Sequence, residues 1–439
     1  MSFPPYPKYK ASGVEWLGNV PDHWSVKPLY SAVVERAESN KGMIEDNLLS
    51  LSYGRIVSKD ISSNDGLLPG SFETYQIVRP GDIVLRLTDL QNDKRSLRSA
   101  IVDEKGIITS AYLAVTPRGP DSKYMSYLFR AYDVTKVFYS MGGGLRQSMN
   151  FSDLKRMPML LPPPTEQMRI VSFLDKETAK IDGLVEEQQR LMALLNEKRR
   201  AFISHAVTKG LNPRIPMKQS GIEWLGDVPA HWDLIPIKYV VTLRSGGTPS
   251  KANPAYWDGT VPWASSKDIK QEELSDTEDH ITQRALDDAA SELVPAGSLL
   301  VVVRGMILIH TFPVAKTLVP MSINQDLRAL TPNRKLSVDF LAWLLRGTSR
   351  ETLGRVDRAA HGTTVLRTED WTSMVLPIPP LDEQSEIVVG VAERLRALDS
   401  LISEAERAID LLQERRIALI SAAVTGQIDI RPVVGKVPA

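Results

Sequence analysis

The side chains best suited to chemistry gather in polar loops, several of them rich in glycine. Gly142-Gly143-Gly144-Leu145-Arg146-Gln147-Ser148-Met149-Asn150 places Arg146, Gln147 and Asn150 just after three glycines. Arg, Gln and Asn are the side chains that read base edges through paired hydrogen bonds. Ser245-Gly246-Gly247-Thr248-Pro249-Ser250-Lys251 follows Arg244 and can bring backbone N–H groups to a phosphate, with Thr248, Ser250 and Lys251 alongside. Arg55 and Lys59 form a further basic pair, and Arg86, Thr88, Lys94, Arg95 and Arg98 a larger cluster. Ser265, Ser266 and Lys267 make another group, then Arg304, then Asn324 with Gln325, then Thr363, Thr364 and Arg367. Any one of these alone fits a solvated loop. Occurring at matching places in two halves of one chain, they point to DNA. Arg146 and Gln147 are the candidate base readers, with Thr363 and Thr364 at the matching register. Lys251 and Lys267 are the candidate phosphate contacts.

Other chemistries find little support. No GxxxxGK[ST] loop is present for ATP, and the six histidines form no HExxH-like pattern. Asn253-Pro254-Ala255-Tyr256 looks like the NPPY motif that holds a target adenine in amino-methyltransferases, but no glycine-rich S-adenosylmethionine loop accompanies it. It reads as a turn. Val102-Asp103-Glu104-Lys105 reads as a charged turn before Gly106. No catalytic residue and no metal site are expected. His23 and His231 recur with Trp24 and Trp232, which suggests a packed structural motif.

The chain has 439 residues, no cysteine, and 53 basic against 53 acidic residues. A formal charge of zero means that DNA binding must rest on local basic faces or on a basic partner. Neither a membrane span nor a signal-peptide core is apparent, so a cytoplasmic protein is expected.

The elements that must position these loops occur twice. YKASGVEWLGNVPDHWSVKPL at 9–29 returns as MKQSGIEWLGDVPAHWDLIPI at 217–237, with 12 of 21 positions identical. LPPPTEQMRIVSFLDKETAKID at 161–182 returns as IPPLDEQSEIVVGVAERLRALD at 378–399. A repeat of this period duplicates a whole domain-plus-helix unit. Each half has an entry motif, a mixed segment, a proline run and a long helix. The mixed segments read as α+β. Strands are expected at 47–52, 82–87 and 107–115 with a helix at 122–132, and at 298–304, 314–318 and 326–330 with a helix at 337–346. Thr165 and Asp382 read as N-caps of the long helices. Leu174, Ile181, Gln188, Leu195 and Phe202 recur every seven residues, with Leu184, Leu191, Lys198 and His205 as a companion row. Val391, Leu398, Ala405, Leu412 and Leu419 repeat the pattern, with Leu401, Ala408 and Ala422 as companions. Two such seams in one chain suggest an antiparallel coiled coil. The expected domains are 1–164, 165–210 (first helix, spacer), 211–380, and 381–439 (second helix and tail).

SGVEWLGNVPDHW and SGIEWLGDVPAHW, LLSLSYGRIVSKD, GGGLRQSMNFSDLKRMPMLLPPPTEQ, GGTPSKANPAYWDGTVPWASSKDI and IPPLDEQ, in this order, resemble the specificity subunits of type I restriction–modification systems. The resemblance covers nearly the whole chain. It implies two target-recognition domains separated by two long helices, each domain reading half of a bipartite site in double-stranded DNA. It implies no catalysis and no cofactor in this chain. S-adenosylmethionine, ATP and magnesium would belong to partners: two adenine methyltransferase subunits and two ATP-dependent nuclease/translocase subunits. The competing readings are a single-chain methyltransferase or restriction fusion, and a non-catalytic coiled-coil scaffold.

Overall fold

The computed structural model describes residues 3–61, 69, 71–88, 90, 97–140, 148–358 and 364–432. They form two compact units, one from Met1–Gln189 with Glu406–Ala439 and the other from Arg190–Ala405. Both long helices contribute to both units. Among the described residues no helix is long and apolar enough to cross a membrane.

The two units share one mixed scaffold. In the first, one sheet runs Arg55–Lys59, Leu48–Ser52, Gly106–Ile108, Gln76–Val78. The other runs Val33–Arg36, Leu113–Pro117, Ile83–Leu85, Ser99–Ile101. In the second unit the matching sheets are Asp279–Ile281, Trp257–Ala264, Met321–Ile323, Leu293–Val294 and Val241–Ser245, Leu327–Pro332, Leu299–Val302, Val314–Thr317, the latter extended by Glu273–Leu274. The single strand expected over 107–115 is two strands in different sheets. A turn closed by Tyr112 N–H donating to the Thr109 carbonyl at 3.1 Å separates them.

Each unit packs one amphipathic helix on its sheets. Ser122–Val134 is capped by the Asp121 side chain, which accepts from Tyr124 N–H at 2.8 Å, and buries Tyr124, Met125, Leu128, Phe129 and Tyr132. Val338–Gly347 is capped by Ser337, which accepts from Phe340 N–H at 3.1 Å, and buries Phe340, Leu341, Leu344 and Leu345. The recurrence of apolar residues at three- and four-residue steps puts one stripe against the core.

The long helices are Pro164–Lys209 and Leu381–Val424. Both begin one residue earlier than their expected caps. The Pro163 carbonyl accepts from Glu166 and Gln167 N–H, and the Pro380 carbonyl from Gln384 N–H. Thr165 and Asp382 therefore lie inside the first turn. Proline suits the first helical position, where its missing N–H costs nothing. Inside each unit the helices pair antiparallel. In the first, Ile170 and Leu174 share a core with Ile420, Ala423 and Val424. In the second, Leu195 and Ile203 share one with Ile387, Val391, Leu395 and Leu398.

One row of each expected seam is buried and its companion is not. Leu174, Ile181 and Leu195 are buried, as are Val391, Leu398 and Ala405. Leu184, Leu191 and Leu401 are more than 40% exposed. The second buried row lies four residues after the first, at positions such as Thr178, Leu395 and Ala423, rather than three. Steps of three and four alternate either way, so periodicity alone does not choose the side.

The join between domain and helix is built by the repeated residues. His23 Nε2 lies 2.7 Å from Glu166 Oε2, and His231 Nε2 lies 2.7 Å from Glu383 Oε2. The second donor differs: the Tyr6 hydroxyl gives to Glu166 Oε1 at 2.6 Å, whereas Trp232 Nε1 gives to Glu383 Oε2 at 3.0 Å. Burial, reinforced by the Glu166 carboxylate, pushes the Tyr6 hydroxyl well above its ordinary pKa and keeps it a donor. The next residue on each helix faces the domain. The Gln167 carbonyl oxygen accepts from Asp121 N–H and that of Gln384 from Ser337 N–H, both at 2.8 Å. The two amides donate back to the Pro162 and Pro379 carbonyls at 2.9 Å. Losing a hydrogen bond to a buried charge costs about 1.5–3 kcal/mol. Glu166→Ala is therefore expected to lower unfolding free energy by about that amount, and Tyr6→Phe to add much less in its presence than alone. Chemical denaturation of the single and double variants reads this, and simple additivity would contradict a shared carboxylate.

Candidate nucleic-acid interface

In the second unit several candidate residues converge at one end of the five-stranded sheet. Strand Val241–Ser245 sets Ser245 opposite Arg328 and Arg244 opposite Ala329. The chain then folds over the end of the neighbouring strand. A Cβ on Gly246 would sit 2.2 Å from the Ile323 and Asn324 carbonyl oxygens, so only glycine allows this approach. Gly247 N–H donates to the Ile323 carbonyl at 2.9 Å, and its own carbonyl accepts from Trp263 Nε1 at 3.0 Å. The glycine-rich loop is thus pinned on both sides. Its backbone is spent on the fold, and its exposed Thr248 hydroxyl donates to the side-chain amide oxygen Oε1 of Gln325.

Two arginines, Arg304 and Arg328, join this ledge. Arg328 Nη1 donates to the Gln325 carbonyl at 3.1 Å, and Arg304 Nε lies 4.0 Å from Asp326. Burial lowers the pKa of the Arg328 guanidinium, and the charge of Arg304 nearby acts in the same direction. Arg244 Nη1 reaches the Leu293 carbonyl at 3.5 Å. The strand Thr364–Leu366 closes the ledge. Gly305 N–H donates to the Thr364 carbonyl at 3.0 Å, and Leu366 N–H to the Val303 carbonyl at 2.8 Å. Arg367 is exposed and paired with Asp357 at 2.7 Å. Clustered guanidiniums beside an amide and a hydroxyl form a surface matched to phosphates and base edges. Arg328 was not among the sequence candidates. Its only signal is an Arg in the strand Leu327–Pro332, otherwise largely apolar.

Other candidates are placed elsewhere. Lys267 lies between Glu278 at 3.1 Å and Asp279 at 2.9 Å, so a phosphate would have to displace two carboxylates. Ser265 is buried and its hydroxyl donates to Asp268 at 2.9 Å; Ser266 follows it half-buried. Asn324 is buried and accepts from Asp326 N–H at 3.0 Å, while the buried Thr364 hydroxyl donates to the Gly305 carbonyl. Ser265, Asn324 and Thr364 therefore shape loops and offer no reading surface. Ser250 and Lys251 are exposed at a turn, where the Ser250 carbonyl accepts from Trp257 Nε1 at 3.2 Å. Asn253 accepts from Ala255 N–H at 3.2 Å, so Asn253-Pro254-Ala255-Tyr256 is a turn, as its sequence suggests.

In the first unit Arg55 and Lys59 lie exposed on strand Arg55–Lys59. Arg86 and Thr88 follow strand Ile83–Leu85 half-buried, and Met149 N–H donates to the Leu87 carbonyl at 2.9 Å. That bond corresponds to Leu366 on Val303 in the second unit, so the end of the 142–150 loop occupies the same place in the scaffold. Arg98 is fully buried. Its guanidinium donates to the Arg86 and Thr88 carbonyls at 3.1 and 2.8 Å and to the Tyr139 hydroxyl at 3.0 Å. It holds the loop. Asn150 caps the helix Phe151–Leu154 in a reciprocal box with Asp153. Lys94, Arg95, Arg146, Gln147 and Thr363 lie outside the described residues.

Comparison with known proteins places this arrangement. Residues 229–410 match the family model of the type I restriction modification DNA specificity domain. The chain is 26% identical over 316 residues to the specificity subunit of the type I restriction enzyme EcoR124I/EcoR124II of Escherichia coli, covering 70% of this chain and 72% of the relative. It is 27% identical to the MjaIX specificity subunit of Methanocaldococcus jannaschii over 44% of each chain. A structure from work on assembly and conformational transition of the type I restriction–modification system shares the fold with a TM-score of 0.67 and 16% identity, over 93% of this chain and 99% of that one. The HsdS subunit of Thermoanaerobacter tengcongensis does so with a TM-score of 0.51 and 14% identity, over 93% and 98%. With its duplicated domain-plus-helix scaffold, the chain is similar to the specificity subunits of type I restriction–modification systems.

Proposed function

We propose that this chain recognises a bipartite site in double-stranded DNA, one half per unit, with the two long helices setting the distance between the halves. The observation that carries this reading is the matched position of the ledges on a shared scaffold built from different side chains. Arg304 in the second unit corresponds to Thr88 in the first, next to the equivalent backbone bonds. In this reading Arg244, Thr248, Arg304, Gln325, Arg328 and Arg367 serve the second half-site. Arg55, Lys59, Arg86, Thr88, Lys94, Arg95, Arg146 and Gln147 serve the first, and Ser250 and Lys251 contact phosphates. The chain performs no catalysis. It works in the cytoplasm within a complex of two adenine methyltransferase and two nuclease/translocase subunits, which bring S-adenosylmethionine, ATP and magnesium. Exposed apolar side chains on the helices, among them Leu184, Leu191, Leu194 and Leu411, support docking of such partners.

Replacing residues 39–156 with the matching segment of another specificity subunit is expected to change one half of the recognised sequence and leave the other intact. Mapping methylated adenines reads this, and a change in both halves would overturn it. A four-residue insertion near Leu195 adds about 6 Å of helix. At roughly 3.4 Å per base pair it is expected to change the unspecified spacer by one or two base pairs with both half-sites retained; loss of half-site identity would contradict the spacer role. Arg304→Ala and Arg328→Ala are expected to cost about 1–3 kcal/mol and relax one position of the second half-site if they read bases. If they contact phosphate, they weaken all sequences alike and reduce the salt slope by about one. Arg98→Ala, by contrast, is expected to lower thermal stability, because it leaves buried carbonyls unpaired at about 1–3 kcal/mol each. Binding of the assembled methyltransferase to matched and single-mismatch duplexes across a salt series separates these outcomes.

A further inference from the structure

The two units differ at one matched site in the carboxylate that joins a pair of arginines. In the second unit Arg346, on helix Val338–Gly347, donates Nη2 to the Val314 carbonyl and Nη1 to Glu272 Oε2, each at 3.0 Å. The other oxygen of that carboxylate lies 3.6 Å from Arg199 on the first long helix, and Arg199 is 3.4 Å from Asp399. One carboxylate thus bridges two arginines.

In the first unit Arg130 holds the position of Arg346, and Arg416, on the second long helix, holds that of Arg199. Arg130 donates to the Ser99 carbonyl, as Arg346 does to Val314, and Arg416 pairs with Asp182 at 3.2 Å, as Arg199 does with Asp399. Among the described residues no carboxylate bridges Arg130 and Arg416. Gly54 stands where Glu272 stands, and its carbonyl accepts from Arg130 Nη2 at 2.7 Å. Gly54 has φ +75°, a conformation that residues with side chains rarely adopt, and a Cβ there would lie 2.3 Å from Arg130 Nη1.

A cleft of ≈ 560 Å³ opens at this place, within the usual range for small-molecule sites. Among the described residues Arg55, Lys123, Arg130 and Arg416 line it, against Asp103, Asp175 and Asp182, an excess of one positive charge. Lys123 is already paired with Asp175 at 2.9 Å. Arg130 keeps a buried Nε–H with no acceptor among the described residues, which Arg346 does not. Burial lowers the Arg130 guanidinium to about 10, and repulsion from Arg416 and Arg55 adds to the fall against the pull of Asp133. The rest of the wall includes Ile56, Ile101, Ile181 and Val185.

We propose that this cleft binds a small monocarboxylate, its oxygens taking the place of the Glu272 carboxylate between Arg130 and Arg416 and its apolar body lying on the isoleucine wall. A single surplus charge suits a monoanion. The three aspartates disfavour a phosphate dianion. The inference does not depend on which residues read DNA.

Hexanoate is the probe, titrated into the full-length chain by calorimetry and thermal shift, with hexanamide and inorganic phosphate as controls. Hexanoate is expected to bind saturably and raise Tm, and the controls to do neither. Arg416→Gln is expected to weaken hexanoate roughly tenfold, the worth of one charge-assisted contact. Arg55→Glu, which puts a carboxylate into the cleft, is expected to abolish binding, whereas Arg199→Gln in the other unit leaves it unchanged. An equal response to hexanamide or phosphate, or unchanged hexanoate affinity in both Arg416→Gln and Arg55→Glu, would overturn the site. Repeating the titration in the assembled methyltransferase identifies the source of the carboxylate. Retained binding marks a free acid, and binding lost only on assembly marks an acidic side chain of a partner.

Discussion

Each long helix begins with a glutamate whose carboxylate is held by a histidine from the entry motif, and the arrangement around it depends on that bond. The neighbouring glutamine ties the same helical turn to the cap of the domain's own helix. A buried carboxylate with two donors and a buried amide with both ends satisfied leave little freedom for the domain to rock on its helix. The Pro-rich approach adds stiffness, since proline fixes φ and keeps the preceding residue extended. The pattern occurs at Glu166-Gln167 and at Glu383-Gln384, so both units are mounted on helix starts in the same way.

With the mounting and the sheet cores held in common, the loop ends of the sheets are free to diverge. Stability resides in the apolar interiors, such as Val301, Leu330 and Phe340 in one unit and Ile83, Val115 and Phe129 in the other. Loops carried by such a scaffold can change side chains at small cost. The ledge shows this in the exchange of Thr88 for Arg304 at one scaffold position. The Arg130 and Arg346 sites show it on the opposite account, where one copy holds its own acid and the other leaves a cleft. Neutral overall composition hides this local chemistry, because Arg304 and Arg328 sit beside Asp326, and Lys267 is enclosed by acids.

Much of the fold was legible in the sequence because duplication repeats every signal. The helices Ser122–Val134 and Val338–Gly347, the strands Leu48–Ser52, Ile83–Leu85 and Val314–Thr317, and both long helices follow from apolar periodicity. Short strands such as Gln76–Val78 and Met321–Ile323 are only three residues long and carry too little pattern to register. The helix seam was half legible, since Leu184 and Leu191 look like core residues by type while facing out. The site was the least legible part. Arg98, Asn324, Ser265 and Thr364 have the polar types of a reading surface, but their burial spends them on backbone carbonyls, N–H groups and a neighbouring carboxylate. Whether a polar side chain faces solvent or its own loop is decided by long-range pairing that no short motif contains.

The central claim is that two similar units read two separate stretches of one duplex. The most direct test is selection of bound sequences from a randomised duplex library by the assembled methyltransferase, followed by sequencing. The account predicts a consensus of two specified blocks separated by a spacer of fixed length and free sequence. A single continuous block, or two blocks at variable separation, would contradict it.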